Sequence, residues 1–319
     1  MKSKSLKFCA TGLVLAAICV SSGLGGASQT PQASSQQKQK GPIRIQTDLV
    51  NVLASVIDAK GEPIIGLTQD AFHVFEENVE QKIVRFEPQT NRPLDLALMV
   101  DTSGSAVIEL KIEKDAATRF VKDLVRPGDR LAVFSFTSDV TQLCNFSDDV
   151  KVLQNAVQRV EPGADMGTSL YDAVVLVSQT IRRQGAERRR ALVIITDAGE
   201  TTSSSKFDTA RRAAVASDAL LYTVVMRPMK SNAGWNTAGE HAMETITDST
   251  GGALFYPTDV SELDGIFDRI NRELRTQYLL GYYPTPSPPP GSTRHIVVTV
   301  NTGDTVRYRK EYFTAAAPR

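Results

Sequence analysis

The chain has 319 residues, 41% hydrophobic and 23% charged, with Lys+Arg and Asp+Glu balanced at 36 each. This is ordinary globular composition, with enough apolar residues for a sizeable core and a length that suggests about two domains. There is no global basic field, which argues against nucleic acid or an anionic membrane surface as partner.

Residues 1–27 have the layout of a secretory signal peptide. Lys2, Lys4 and Lys7 form a positive start, an apolar stretch runs from Phe8 to Val20, and the small residues Gly25, Gly26 and Ala27 follow. The stretch is short of the roughly 20 residues a membrane span needs. Cleavage near Ala27 therefore leaves no integral span, and the expected location is secreted, periplasmic or cell-surface. Ile18, just before Cys19, is larger than the residue lipoprotein processing wants. Cleavage removes three lysines, leaving 33 basic against 36 acidic residues, and removes Cys9 and Cys19. Cys144 then stands alone, so no internal disulfide is expected. Residues 28–42, rich in Ser and Gln, bury too little to offset their ordering entropy and read as a flexible spacer.

Residues 43–90 read as β-structure. Ile43, Ile45, Leu49, Val52 and Ala54 recur in near-alternation with polar residues, the pattern of half-buried strands. Turn signals stand at Lys60-Gly61 and Glu62-Pro63, and two strands follow around Phe72–Phe75 and Ile83–Phe86, with a turn at Glu77-Asn78. The segment resembles immunoglobulin-like modules of bacterial surface proteins.

From residue 93 to 275 the character changes. Apolar runs at Leu94–Val100, Leu131–Phe136, Ala191–Thr196 and Leu220–Met226 alternate with helical spacing at Ile112–Leu124 and Leu170–Ile181. Continuous apolar strands separated by helices predict βαβ units and a parallel sheet covered on both faces. Residues 252–256 and 260–275 add a short strand and a helix. Strand character returns at Gln277–Tyr283, His295–Val300 and Tyr308–Phe313, split by the Pro-rich turn at 287–291. Residues 277–313 are expected to pack with 43–90 in one module. The fold class is thus α/β, a doubly wound Rossmann-like, mostly parallel sheet with a flanking β-rich module.

The first strand of that sheet ends in Asp101-Thr102-Ser103-Gly104-Ser105. Open α/β sheets bind ligands at the carboxyl ends of their strands. A carboxylate and two hydroxyls on one tight loop are the oxygen donors a hard divalent cation takes. Thr168 precedes a helix, and Asp197 directly follows another buried strand, at the same edge. Taken alone, Asp101–Ser105 also reads as a strand-to-helix turn with capping residues. Asp165 and Asp172 read as loop and first-turn charges, and Glu200 as a solvated loop residue. Arg182-Arg183 and Arg188–Arg190 read as solvated surface at the far end of the sheet. Tyr278, Tyr282 and Tyr283 read as packing residues. His73, His241 and His295 share no partner spacing, no catalytic motif occurs, and Ser103 has no evident His base, so no catalytic residue and no enzyme is expected.

Asp101-x-Ser103-x-Ser105, then Thr168, then Asp197 match in order and spacing the metal-ion-dependent adhesion site (MIDAS) of von Willebrand factor type A domains. The likeness spans residues 93–275, and the whole chain resembles exported acidobacterial-type von Willebrand A-related proteins. The resemblance implies hydroxyl ligation by Ser103, Ser105 and Thr168, with Asp101 and Asp197 bonding coordinated waters and hydroxyls. It implies Mg²⁺, replaceable by Mn²⁺ or Ca²⁺, and an open position for an Asp or Glu of a protein or matrix partner. The function it implies is metal-dependent adhesion-type binding; the alternative is a non-catalytic scaffold subunit of an envelope complex whose metal is structural.

Overall fold

The computed structural model describes residues 49–88, 91–104, 110–163, 167–185, 187–226 and 237–316, which belong to one compact unit. The expected signal peptide and spacer, Ile43, Ile45, Ser105 and Asp165 lie outside the described residues. Four strands come first: β1 (Val50–Ile57), β2 (Phe72–Glu76), β3 (Val79–Gln81) and β4 (Ile83–Glu87). Then follow β5 (Leu94–Asp101), α1 (Leu110–Leu124), β6 (Arg130–Phe136), β7 (Val140–Ser147), α2 (Val150–Gln158), α3 (Leu170–Arg182) and β8 (Arg189–Thr196). The series continues with α4 (Phe207–Ala216), β9 (Ala219–Val225), α5 (Thr237–Thr250), β10 (Ala253–Phe255) and α6 (Leu263–Arg275). It closes with β11 (Tyr278–Tyr282), β12 (Thr293–Val300), β13 (Thr305–Tyr308) and β14 (Glu311–Phe313).

The central sheet has the order β10-β9-β8-β5-β6-β7, parallel except for the edge strand β7. Every residue of β5, β8 and β9 is buried. Alternation along β5 divides them between two cores. Leu94, Leu96, Leu98 and Val100 meet α1, α2 and α6, while Ala97 and Met99 meet α3, α4 and α5. Each large side chain so buried stabilises the fold by about 1.5–3 kcal/mol. The carboxyl ends of the strands are thereby fixed on a rigid two-sided core. No helix among the described residues is long and apolar enough to cross a membrane.

Strands from the two ends of the described chain share two antiparallel sheets, β13-β1-β11-β4 and β14-β12-β2-β3. Their inner faces meet around Val52, Val74, Tyr278, Tyr282 and Val298. Tyr283, by contrast, is exposed. Glu77 and Asn78 both have positive φ, the backbone that a two-residue hairpin needs, and they join β2 to β3. The strand after that turn is β3; β4 instead crosses to the other sheet beside β11. The expected single strand Tyr308–Phe313 is two: β13 pairs with β1, and β14 pairs with β12 across the other sheet.

The arginines Arg188–Arg190 are not a solvated surface. Arg189 is buried, donating to the Leu274 carbonyl and, at 3.1 Å, to Gln277 Oε1, so it holds the junction of α6 and β11. Arg190 is buried against the Ser217 and Gly185 carbonyls. Arg188 donates to Asp95 Oδ1 at 2.7 Å. Burial lowers the Arg189 pKa to about 10, with Arg275 adding to the fall and Asp129 opposing it. A guanidinium remains charged there, which is why carbonyl and carboxylate acceptors surround it.

Candidate functional site

Asp101 is the last residue of β5 and is buried. Its Oδ1 accepts from the Ser103 amide at 2.9 Å, closing a turn two residues on, and its Oδ2 accepts from Thr196 Oγ1 at 2.6 Å. This local turn is the one short Asp side chains favour. Thr102 follows, with its amide and hydroxyl both donating to the Phe136 carbonyl at 2.9 and 3.2 Å, which anchors the loop to β6. Burial pushes the Asp101 carboxyl up to about 6; hydrogen bonds from Thr196 and Ser103 oppose the rise, and the Asp197 charge adds to it.

Asp197 repeats the same local pattern after β8. Its Oδ1 accepts from the Gly199 amide at 2.8 Å. Ala198 between them is buried with φ of 60°, a left-handed conformation costing a non-glycine residue about 1–2 kcal/mol. Its amide is satisfied by Thr196 Oγ1 at 3.0 Å. A Cβ built on Gly199 would lie 2.9 Å from Asp197 Oδ1 and 3.4 Å from Thr168 Oγ1. Those two oxygens therefore flank one small space, which only glycine leaves open.

Thr168 is held from the Asp197 loop. Its amide donates to Thr201 Oγ1 at 2.8 Å, and its carbonyl accepts from the Thr201 and Thr202 amides at 2.9 and 3.2 Å. Gly167 before it faces the Ser138 and Thr202 side chains so closely that any Cβ would collide with them.

Asp101, Ser103, Thr168 and Asp197 thus converge at the carboxyl edge of the sheet, while Ser105 lies outside the described residues. Ser103 Oγ is buried and lies against the Asp101 carboxylate, whose charge it helps hold, but it makes no hydrogen bond of regular geometry among the described residues. An orphaned hydroxyl beside two carboxylates and a threonine hydroxyl fits a hard cation, which takes oxygen donors. No three His, Cys, Asp or Glu among the described residues cluster as a metal site; the donor set here is two carboxylates completed by hydroxyls.

Sequence reading missed Thr196, whose hydroxyl bonds Asp101. Its signal lies in the sheet register, where Val100 pairs with Ile195 and the next residues along become neighbours. Glu200 is not a solvated loop residue. Its carboxylate accepts from the Tyr171 amide at 2.9 Å, from the Ser203 amide at 2.9 Å and from Ser203 Oγ at 2.7 Å. Asp172 likewise reaches out of α3 to the Ser204 and Ser205 amides. The histidines lie elsewhere: His73 bonds Glu80 and Asn301, and His295 bonds Glu77, all in the β-sandwich.

Residues 96–200 match the family model of the von Willebrand factor type A domain. No curated protein matches the chain. Among solved structures, the chain is similar to a von Willebrand factor type A protein from Catenulispora acidiphila, at 11% identity and TM-score 0.50, over 85% of this chain and 74% of that one. BatB from Bacteroides thetaiotaomicron is similar at 14% identity and TM-score 0.46, over 57% and 100% of the two chains. The vWF domain of the type V pili tip protein Mfa5 from Porphyromonas gingivalis is similar at 13% identity and TM-score 0.46, over 57% and 95%. At such identity the Catenulispora likeness is one of fold. The family match spans β5 to the Asp197 loop, and with it this chain contains a von Willebrand factor type A domain.

Proposed function

We propose that the chain is an exported, non-catalytic protein-binding module whose site at Asp101, Ser103, Ser105, Thr168 and Asp197 holds a divalent cation, Mg²⁺ with Mn²⁺ or Ca²⁺ as substitutes. The observation that carries this reading is the buried, unpartnered Ser103 hydroxyl set beside Asp101, at the edge where Thr168 and Asp197 also converge. When bound, the cation supplies an electrophilic position that an Asp or Glu oxygen of a protein or matrix partner can occupy. The chain's own residues orient the donors: Thr196 fixes one oxygen of Asp101, the Ser103 amide the other, and the Gly199 amide fixes Asp197. Cleavage near Ala27 and a periplasmic, secreted or cell-surface location belong to the same proposal. The test is recovery of a partner from cell envelope on the purified protein, with Mg²⁺ and with EDTA. Recovery lost in EDTA and in Asp101→Ala supports the reading. A partner held equally in EDTA contradicts it and favours a scaffold subunit that works without a carboxylate bridge.

A further inference from the structure

The helix that begins just after Thr168 does not cap itself. Ser169 occupies the N-cap position of α3 yet makes no side-chain cap hydrogen bond; its hydroxyl is instead 2.8 Å from Thr202 Oγ1. The first amides of a helix have no intrahelical acceptor and need one from elsewhere. Here that acceptor comes from the loop carrying Asp197. Glu200 takes the Tyr171 amide at 2.9 Å, and Ser203 Oγ takes the Asp172 amide at 3.2 Å. The helix answers in kind: the two Asp172 oxygens accept from the Ser204 amide at 2.7 Å and the Ser205 amide at 2.9 Å. Loop and helix therefore exchange charge-assisted hydrogen bonds in both directions, the stronger kind. The carboxylates also sit at the positive end of α3.

Resting on the metal reading above, we infer that Glu200 and Asp172 are positioning residues, a reciprocal brace that sets where Asp197 stands relative to Thr168. Neither touches the proposed cation. Each acts through an amide or hydroxyl three to eight residues from Thr168 or Asp197. A single brace bond would let the loop pivot; bonds running from loop to helix and from helix to loop fix both distance and orientation.

The test compares wild type with Glu200→Ala, Glu200→Gln and Asp172→Asn. The readouts are Mn²⁺ affinity by calorimetry, amide hydrogen exchange at residues 168–173 and 198–205 in EDTA, and thermal unfolding in EDTA as a check of folding. Losing a partner that orients metal ligands weakens metal binding by about 10–100-fold. Glu200 bonds none of the proposed metal ligands itself, so Glu200→Ala is expected at the low end, about 10-fold, with faster exchange at Tyr171. Glu200→Gln keeps an acceptor oxygen and is expected to recover part of the affinity. Asp172→Asn is expected to weaken binding and speed exchange at Ser204 and Ser205. It keeps the side-chain shape, so it also serves if Glu200→Ala fails to fold. Wild type that binds Mn²⁺ and folded variants that bind it equally well would overturn the brace alone. Wild type that binds no Mn²⁺ would overturn the metal reading, and the brace's purpose with it.

Discussion

Strand β5 carries a buried carboxylate near each end, Asp95 and Asp101, about 20 Å apart at the usual strand rise. Their surroundings are opposite. Asp95 is gripped by Arg130, at 3.0 and 2.8 Å, and by Arg188 at 2.7 Å. Asp101 receives one amide and one hydroxyl, with the like charge of Asp197 nearby and no ion pair among the described residues. The hydrogen bond to Asp95 raises the Arg130 pKa, while burial raises that of Asp101. At the end away from the candidate site the buried charge of β5 is neutralised by arginines from β6 and from the segment leading into β8. At the other end the buried carboxylate is held by one amide and one hydroxyl, with no cation paired to it among the described residues. Perturbed, uncompensated carboxylates cluster at functional sites, so the contrast between the two ends is the one the proposed cation site would explain.

The largest expected effect breaks the compensated end. Asp95→Ala leaves Arg130 and Arg188 without their carboxylate; removing one partner of a fully buried pair costs about 3–5 kcal/mol, and because both arginines are partly exposed the loss is expected at the low end of that range. Urea unfolding checks this, and a loss below about 1 kcal/mol would mean the arginines are satisfied without Asp95.

At the other end the same kind of change has the opposite sign. With its carboxyl at about 6 in the folded chain and an ordinary value of 3.8, Asp101 binds its proton more tightly folded than unfolded. Its contribution to stability is full below pH 4, falls as pH rises to about 6, and stays lost above that. Asp101→Asn in EDTA removes this fall and is expected to gain up to about 3 kcal/mol at pH 7 over wild type. Urea unfolding of both proteins from pH 4 to 8 checks it; their difference widens with pH on this account. A variant less stable than wild type throughout would contradict it.

The two ends also differ in how they read from sequence. β5, β6, β8 and β9 were legible because strands buried on both faces must be continuous apolar runs. Asp101, Ser103 and Asp197 were legible as positions because they sit at or within two residues of the carboxyl end of such a strand, and Thr168 because it stands just before α3. The compensated end was misread. A run of three arginines looks solvated until its acceptors are known, and Asp95, Leu274 and Ser217 lie far away in the chain. Helices α4 and α5 left little trace, since α4 buries only Ala210, Ala214 and Val215. The corner at Arg309-Lys310 has no turn residue. It forms because β13 is drawn to β1 and β14 to β12, a choice made by tertiary pairing. Thr196 and Glu200 were missed for a related reason: their roles depend on register and on a loop folding back onto α3.

A smaller effect sharpens the contrast further. Thr168→Ala removes a hydroxyl and a methyl group from a buried residue at the sheet edge and is expected to cost about 1 kcal/mol in EDTA. If cation and partner share the site, each raises the other's affinity by one common factor, and this variant is expected to lower that factor. Titrations of the cation with and without partner, in wild type and Thr168→Ala, check the drop; an unchanged factor would count against a shared site.

The uncompensated end of β5 is the proposed cation site. Calorimetric titration of the purified protein with Mn²⁺, alongside Asp101→Asn, tests it most directly. One ion per chain is expected in wild type and none in the variant. Equal binding by the two proteins, or no binding by wild type, would contradict it.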